Sequence, residues 1–123
     1  MKAQIQLLFT LMSIIIFTSC VDQEKYQTIA GTWTCASWVN TISGEDQCTQ
    51  DNVLFRFYED KTYYSKLGQG VDTGIYRIVS GVMYVEPNGK TEFGVKVKEL
   101  ETDKVVLEMN NAGEIEYLTL KRP

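Results

Sequence analysis

Short runs of β-branched and aromatic residues, separated by small groups of turn residues, dominate the chain after Ala30. Apolar and polar residues alternate within these runs, and no helical period is sustained there. The pattern predicts an all-β fold of eight strands: Thr32–Asn40, Val53–Tyr58, Thr62–Leu67, Gly74–Val79, Val82–Glu86, Phe93–Leu100, Val105–Met109 and Ile115–Lys121. The connections are short and polar, as hairpins require, except for residues 41–51 and 68–73.

Consecutive hairpins build an up-and-down meander, and the two edge strands of an open meander would expose unpaired backbone groups. Pairing of the last strand with the first removes both edges. We therefore predict a small eight-stranded antiparallel barrel over residues 31–123. Tyr26, Ile29 and Ala30 recur at helical spacing, which predicts a short helix that plugs one end of the barrel.

The N-terminus has the features of an export leader. Lys2 precedes an apolar run from Leu7 to Phe17. A helix over that run, at about 1.5 Å per residue, is too short to cross a hydrocarbon core of roughly 30 Å. Ser19 and Cys20 then resemble the lipobox of bacterial lipoproteins, in which the cysteine is lipidated and becomes the new N-terminus.

The lipobox resemblance implies a division into a signal peptide (residues 1–19), a lipidated tether with a short helix (residues 20–30) and the barrel domain (residues 31–123). It also implies attachment to a membrane through acyl chains on Cys20, each buried CH₂ contributing about 0.8 kcal/mol. The expected location is the cell envelope, with the outer membrane or cell surface favoured over a periplasm-facing site.

Two cysteines, Cys35 and Cys48, remain once Cys20 is assigned to the lipid. Exported proteins occupy an oxidising compartment, which favours a disulfide between them over two buried free thiols. A bridge closing a loop of this length would stabilise the fold by roughly 3 kcal/mol.

Charge and composition argue against several functions. The 12 basic and 16 acidic side chains form no long block of one sign, and the net charge of −4 argues against nucleic acid as a partner. The chain has no histidine, the commonest general base and metal ligand. The acidic pairs Glu45-Asp46 and Glu59-Asp60 fall in predicted turns, where a solvated surface explains them better than hydrolysis does. We expect no catalytic residue, metal or cofactor, and hence no enzyme.

Gly31-Thr32-Trp33 opens the first predicted strand, and Arg122 follows the last one. This arrangement is similar to the lipocalin family. The resemblance implies that Gly31 and Trp33 close one end of the barrel and that Arg122 packs across the indole, a cation–π contact worth on the order of 1 kcal/mol. It further implies non-catalytic binding of a small hydrophobic or amphipathic ligand in the cup. The predicted strands are short for that family, which predicts a shallow cup.

An eight-stranded barrel is filled by side chains or holds one small ligand. The alternation directs bulky residues inward, which favours a filled interior over a pocket. In the pocket alternative, Phe55, Phe57, Tyr63 and Tyr76 form the wall. Trp38 has the opposite parity to Trp33 and is therefore expected on the outer face or at the rim, beside residues 41–51.

Two functions are compatible with these features. In the first, a lipid-anchored monomer binds a small hydrophobic or amphipathic ligand, with residues 41–51 as a lid and Trp38 at the rim. In the alternative, the barrel is filled, and its outer surface and loops bind a protein partner as protease or lysozyme inhibitors do, with Trp38 in the contact surface.

Overall fold

A computed structural model describes residues 23–49 and 52–123. Residues 23–29 are helical, and a 3₁₀ turn covers Gln47–Thr49. The eight strands are β1 Gly31–Asn40, β2 Val53–Phe57, β3 Thr62–Leu67, β4 Gly70–Val79, β5 Val82–Pro87, β6 Phe93–Leu100, β7 Lys104–Asn111 and β8 Glu114–Lys121.

The strands form a closed antiparallel barrel. Each strand pairs with the next along the chain, and β8 returns to pair with β1, so that the sheet has no edge. The predicted fold class, an eight-stranded up-and-down barrel, is confirmed. The helix predicted before the barrel is also present, whereas the predicted leader and Cys20 lie outside the described residues.

Tight turns join the hairpins. Ser80 and Gly81 both have positive φ between β4 and β5, as do Ala112 and Gly113 between β7 and β8. Two positive φ values in a two-residue loop are typical of type I′ turns, whose twist matches that of the flanking strands.

The long connection predicted over residues 68–73 is wrong, because β4 begins at Gly70 and only two residues separate it from β3. Val71 and Asp72 lack a clear apolar alternation, yet they pair with Lys66 and Ser65 in the ladder. Backbone pairing with a neighbouring strand therefore extends β4 where the sequence pattern alone does not.

A β-bulge in β1 reverses the predicted orientation of Trp38. The register of β1 on β8 shifts between Cys35 and Ser37, so that Ala36 is an extra residue. Trp33 and Trp38 therefore both face the interior, although their spacing in a regular strand would place them on opposite faces. Trp38 therefore does not lie on the outer face, which unbroken parity allowed, and it points inward near the rim of the open end.

The end of the barrel at which β1 begins is closed by the helix. Tyr26 and Ile29 are buried there against Trp33. The phenolic oxygen of Tyr26 accepts a hydrogen bond from the backbone N–H of Ile78 (3.0 Å), which fixes the helix to β4. The helix therefore acts as a plug.

Arg122 completes this closed end. Its guanidinium carbon lies 3.9 Å from the centroid of the Trp33 ring, and its two terminal nitrogens donate to the carbonyl oxygens of Ala30 and Thr28, each at 2.8 Å. Gly31 has a φ of +117°, and a Cβ there would collide with the guanidinium. The Arg122 side chain thus packs against both the Trp33 ring and the backbone of Gly31.

The predicted disulfide between Cys35 and Cys48 is present and joins β1 to the 3₁₀ turn, with a Cα–Cα distance of 5.7 Å. Asp46 holds the same loop, because its Oδ1 accepts from the backbone N–H groups of Trp38 (3.0 Å) and Cys48 (3.1 Å). The loop after β1 is therefore bound along that strand.

Candidate functional site

A cavity of about 250 Å³ occupies the barrel towards the end opposite the helix. Its lining is almost entirely apolar and comes from every strand: Trp38, Phe55, Phe57, Tyr63, Ser65, Leu67, Asp72, Met83, Val85, Pro87, Phe93, Val95, Leu107, Met109 and Leu118. The expectation of a filled interior is therefore wrong. Trp33 and Tyr76 belong to the buried core and do not line the cavity.

Four of the five predicted ligand-binding residues lie in this cavity: Trp38, Phe55, Phe57 and Tyr63. Tyr76 does not, so its assignment to the cavity wall is wrong. Its ring packs against Phe57 with centroids 5.1 Å apart, and its hydroxyl donates to the carbonyl oxygen of Tyr58 (2.8 Å). Burial raises the pKa of the Tyr76 phenol far above its ordinary value.

Residues 41–49, the described part of the predicted lid, line none of this cavity. The disulfide and the contacts of Asp46 hold this segment against β1 instead. The described part of this loop therefore does not form a lid over the mouth of the cavity.

One wall of the cavity carries polar groups. Tyr63 and Ser65 lie on the same face of β3, and Ser65 is paired directly with Asp72 of β4. Burial, followed by the negative charge of Asp72, raises the pKa of the Tyr63 phenol. Asp72 also forms an ion pair with Lys90 across 3.3 Å, with both side chains largely exposed. Ser65 and Asp72 were not among the predicted site residues, although alternation from Tyr63 indicates Ser65.

A second polar group lies near the mouth, where Glu116 is only 3% exposed. Trp38 Nε1 donates to Glu116 Oε1 (3.0 Å), and Asn40 Nδ2 donates to Glu116 Oε2 (3.3 Å). None of the ion pairs within the described ranges involves Glu116. The inward parity of Leu118 and Leu120 on β8 was the signal that would have placed Glu116 inside.

The barrel wall opens beside this carboxylate. The pairing of β6 with β7 ends at Lys96 and Glu108, and the strand ends beyond them separate. A groove between these ends is lined by Phe93 and Met109, which also line the cavity, and it extends to Glu116. The cavity therefore adjoins a lateral opening as well as the mouth.

Within residues 23–49 and 52–123, no cluster of three or more histidine, cysteine or acidic side chains is arranged to hold a metal ion. The helix in this part of the chain is too short and too polar to cross a membrane. Comparison of the chain with protein-family models gives no match, and comparison with curated proteins gives none either.

Proposed function

We propose that this barrel binds a small hydrophobic or amphipathic molecule in its cavity without converting it chemically. The observation that carries the proposal is the apolar cavity of about 250 Å³. An apolar protein cavity of roughly 150 Å³ is large enough to bind benzene. The volume here suits a ligand somewhat larger than one aromatic ring, and transfer of each CH₂ from water into it would contribute about 0.8 kcal/mol.

Thermal unfolding with a panel of neutral compounds, such as naphthalene and 1-octanol, tests this proposal. A ligand at 100 times its dissociation constant stabilises the folded protein by about 2.7 kcal/mol, which raises the melting temperature measurably. Absence of a shift with every member of the panel would contradict the proposal.

A matched pair of variants locates the binding. Val95 lines the cavity, whereas Val79 is exposed on β4. Val95→Phe fills part of the cavity and is expected to abolish the ligand-induced shift. Val79→Phe makes the same change outside and is expected to leave it unchanged. Equal effects of the two substitutions would show that the ligand binds elsewhere.

We also propose that the protein is a lipoprotein of the cell envelope, anchored through Cys20. Val21 and Asp22 are the residues between Cys20 and the described helix. Each residue spans at most about 3.6 Å, so the acyl chains would hold the closed end within a few residues of the bilayer. The mouth of the cavity would then point away from the membrane that carries the anchor.

The rim of the open end supports a second candidate, a protein-binding module. Ile42, in the loop after β1, is 73% exposed, and Leu67, Val71 and Phe93 are exposed near the same end on β3, β4 and β6. Trp38 is not part of such a surface, because it faces the cavity. A stable partner would bury about 1,200 Å² or more, and its capture should fail with Ile42→Asp if this rim is the contact. Retention of the partner by that variant would count against the rim.

A further inference from the structure

The hydroxyl of Ser65 is the starting point for identifying the ligand class. Ser65 is only 5% exposed and lines the cavity, and no hydrogen bond within residues 23–49 and 52–123 involves its hydroxyl. Every fully buried side-chain oxygen or nitrogen of the described residues has a hydrogen-bond partner, so this unpaired hydroxyl must be reachable from the cavity, where a ligand can hydrogen-bond to it. The cavity thus has a polar position ready for one end of an otherwise apolar ligand.

The charge next to this hydroxyl is negative. Asp72 pairs with Ser65 across the β3–β4 ladder, and side chains directly opposite each other on one face have Cβ atoms about 5 Å apart. Lys90, the cation in contact with Asp72, is largely exposed, and exposed ion pairs are weak. The buried Glu116 side chain borders the adjoining groove, where its two oxygens accept hydrogen bonds from Trp38 and Asn40.

We propose that the cavity selects ligands in which a short apolar body carries a protonated amine. This inference rests on the proposed ligand-binding function. The ammonium group donates to the Asp72 carboxylate and to the Ser65 hydroxyl, whose lone pairs rotate to accept. The apolar body lies against Phe55, Phe57 and Leu118. A carboxylate in the same place would be repelled by Asp72, and an alcohol would gain only the Ser65 contact.

Calorimetric titration with octylamine, 1-octanol and octanoate at pH 7 tests the inference, because the three probes share one chain. By the ordinary pKa values of amines and carboxylic acids, the amine is a cation and the acid an anion at this pH. Octylamine should bind about threefold tighter than 1-octanol, the gain expected of an ion pair with a partly exposed carboxylate, and octanoate should bind most weakly. Equal affinities, or tightest binding of octanoate, overturn the amine assignment and leave the proposed function standing. No binding of any probe overturns both.

Variants at Asp72 and Ser65 test whether this side of the cavity is responsible for the preference for amines. Asp72→Asn should lower octylamine affinity about threefold, to the level of 1-octanol, and leave 1-octanol unchanged. Ser65→Ala should weaken both probes. Asp103→Asn removes one negative charge from the exposed β6–β7 turn at the closed end and should change neither affinity. If Asp103→Asn weakens octylamine binding as much as Asp72→Asn does, net charge and not the cavity wall governs binding, and the inference fails.

Discussion

The two tryptophans of β1 serve different parts of the molecule. Trp33 is fully buried at the closed end, where its Nε1 donates to the carbonyl oxygen of Ile29 (2.7 Å) beneath the guanidinium of Arg122. Trp38 lines the cavity and is hydrogen-bonded to Glu116. The first indole therefore packs in the closed end, and the second shapes the cavity.

Trp33→Ala is expected to lower the free energy of unfolding by about 3 to 5 kcal/mol, since it leaves a void in a packed layer. Trp38→Ala is the matched control, and its cost should be clearly smaller because the side chain borders space that is already open. Urea denaturation measures both values. An equal loss in the two variants would show that the closed end is not the main packing centre.

Tyrosine ionisation should destabilise the protein at high pH. The pKa values of Tyr63 and Tyr76 are raised, chiefly by burial, so that folding favours the neutral phenols. This stabilisation is complete below the unfolded pKa of about 10 and is lost progressively as the pH rises above it, because the unfolded chain then releases protons that the folded chain retains.

Urea midpoints measured from pH 8 to 11 are expected to fall steeply above about pH 10. Tyr76→Phe should reduce that slope, while its lower stability at pH 8 reflects the lost hydrogen bond to Tyr58. A slope that is the same in the variant would show that Tyr76 does not contribute to the alkaline transition.

Strand β1 illustrates where sequence pattern succeeds and where it fails. The ends of most strands were predicted within two residues, because turn residues and alternation are local signals. The bulge at Ala36 has no such signal, and it alone turns Trp38 and Asn40 inward to meet Glu116. One extra residue therefore decides which side chains form the mouth of the cavity.

The disulfide should stabilise β1 and the loop that follows it. Replacing both Cys35 and Cys48 with serine is expected to lower the free energy of unfolding by roughly 3 kcal/mol, as the closed loop is released in the unfolded chain. A reductant should lower the stability of the native protein to that of the double variant and leave the variant unchanged. Two thiol labels on the native protein, counted by intact mass, would refute the bridge.

On the scale of the whole molecule, the barrel has two ends that differ in how they are packed. Side chains from the helix, from β1 and from the C-terminal Arg122 close one end, while the other contains the cavity and its acidic groups. The proposed anchor precedes the helix, so it belongs to the closed end. The proposed ligand site and the proposed anchor would thus lie at opposite ends of the barrel.

Fluorophores attached at two engineered cysteines test this orientation in vesicles that contain a quenching lipid. Ser80→Cys marks the β4–β5 turn at the closed end, and Ile42→Cys marks the rim. The label at residue 80 should be quenched more strongly than the label at residue 42.

Cys20→Ser should release the protein from the membrane fraction, and continued partitioning of that variant with membranes would disprove the lipid anchor.

The sequence by itself determined the all-β class, the number of strands, the closure of the barrel and the Cys35–Cys48 pair, because alternation, turn residues and cysteine count are local properties. The tertiary structure decided whether the interior is filled. That outcome depends on the bulge at Ala36, which turns Trp38 inward, and on where the pairing of β6 with β7 ends. Packing and strand register depend on contacts between segments that are distant in the sequence, so the pattern of a single segment does not predict them.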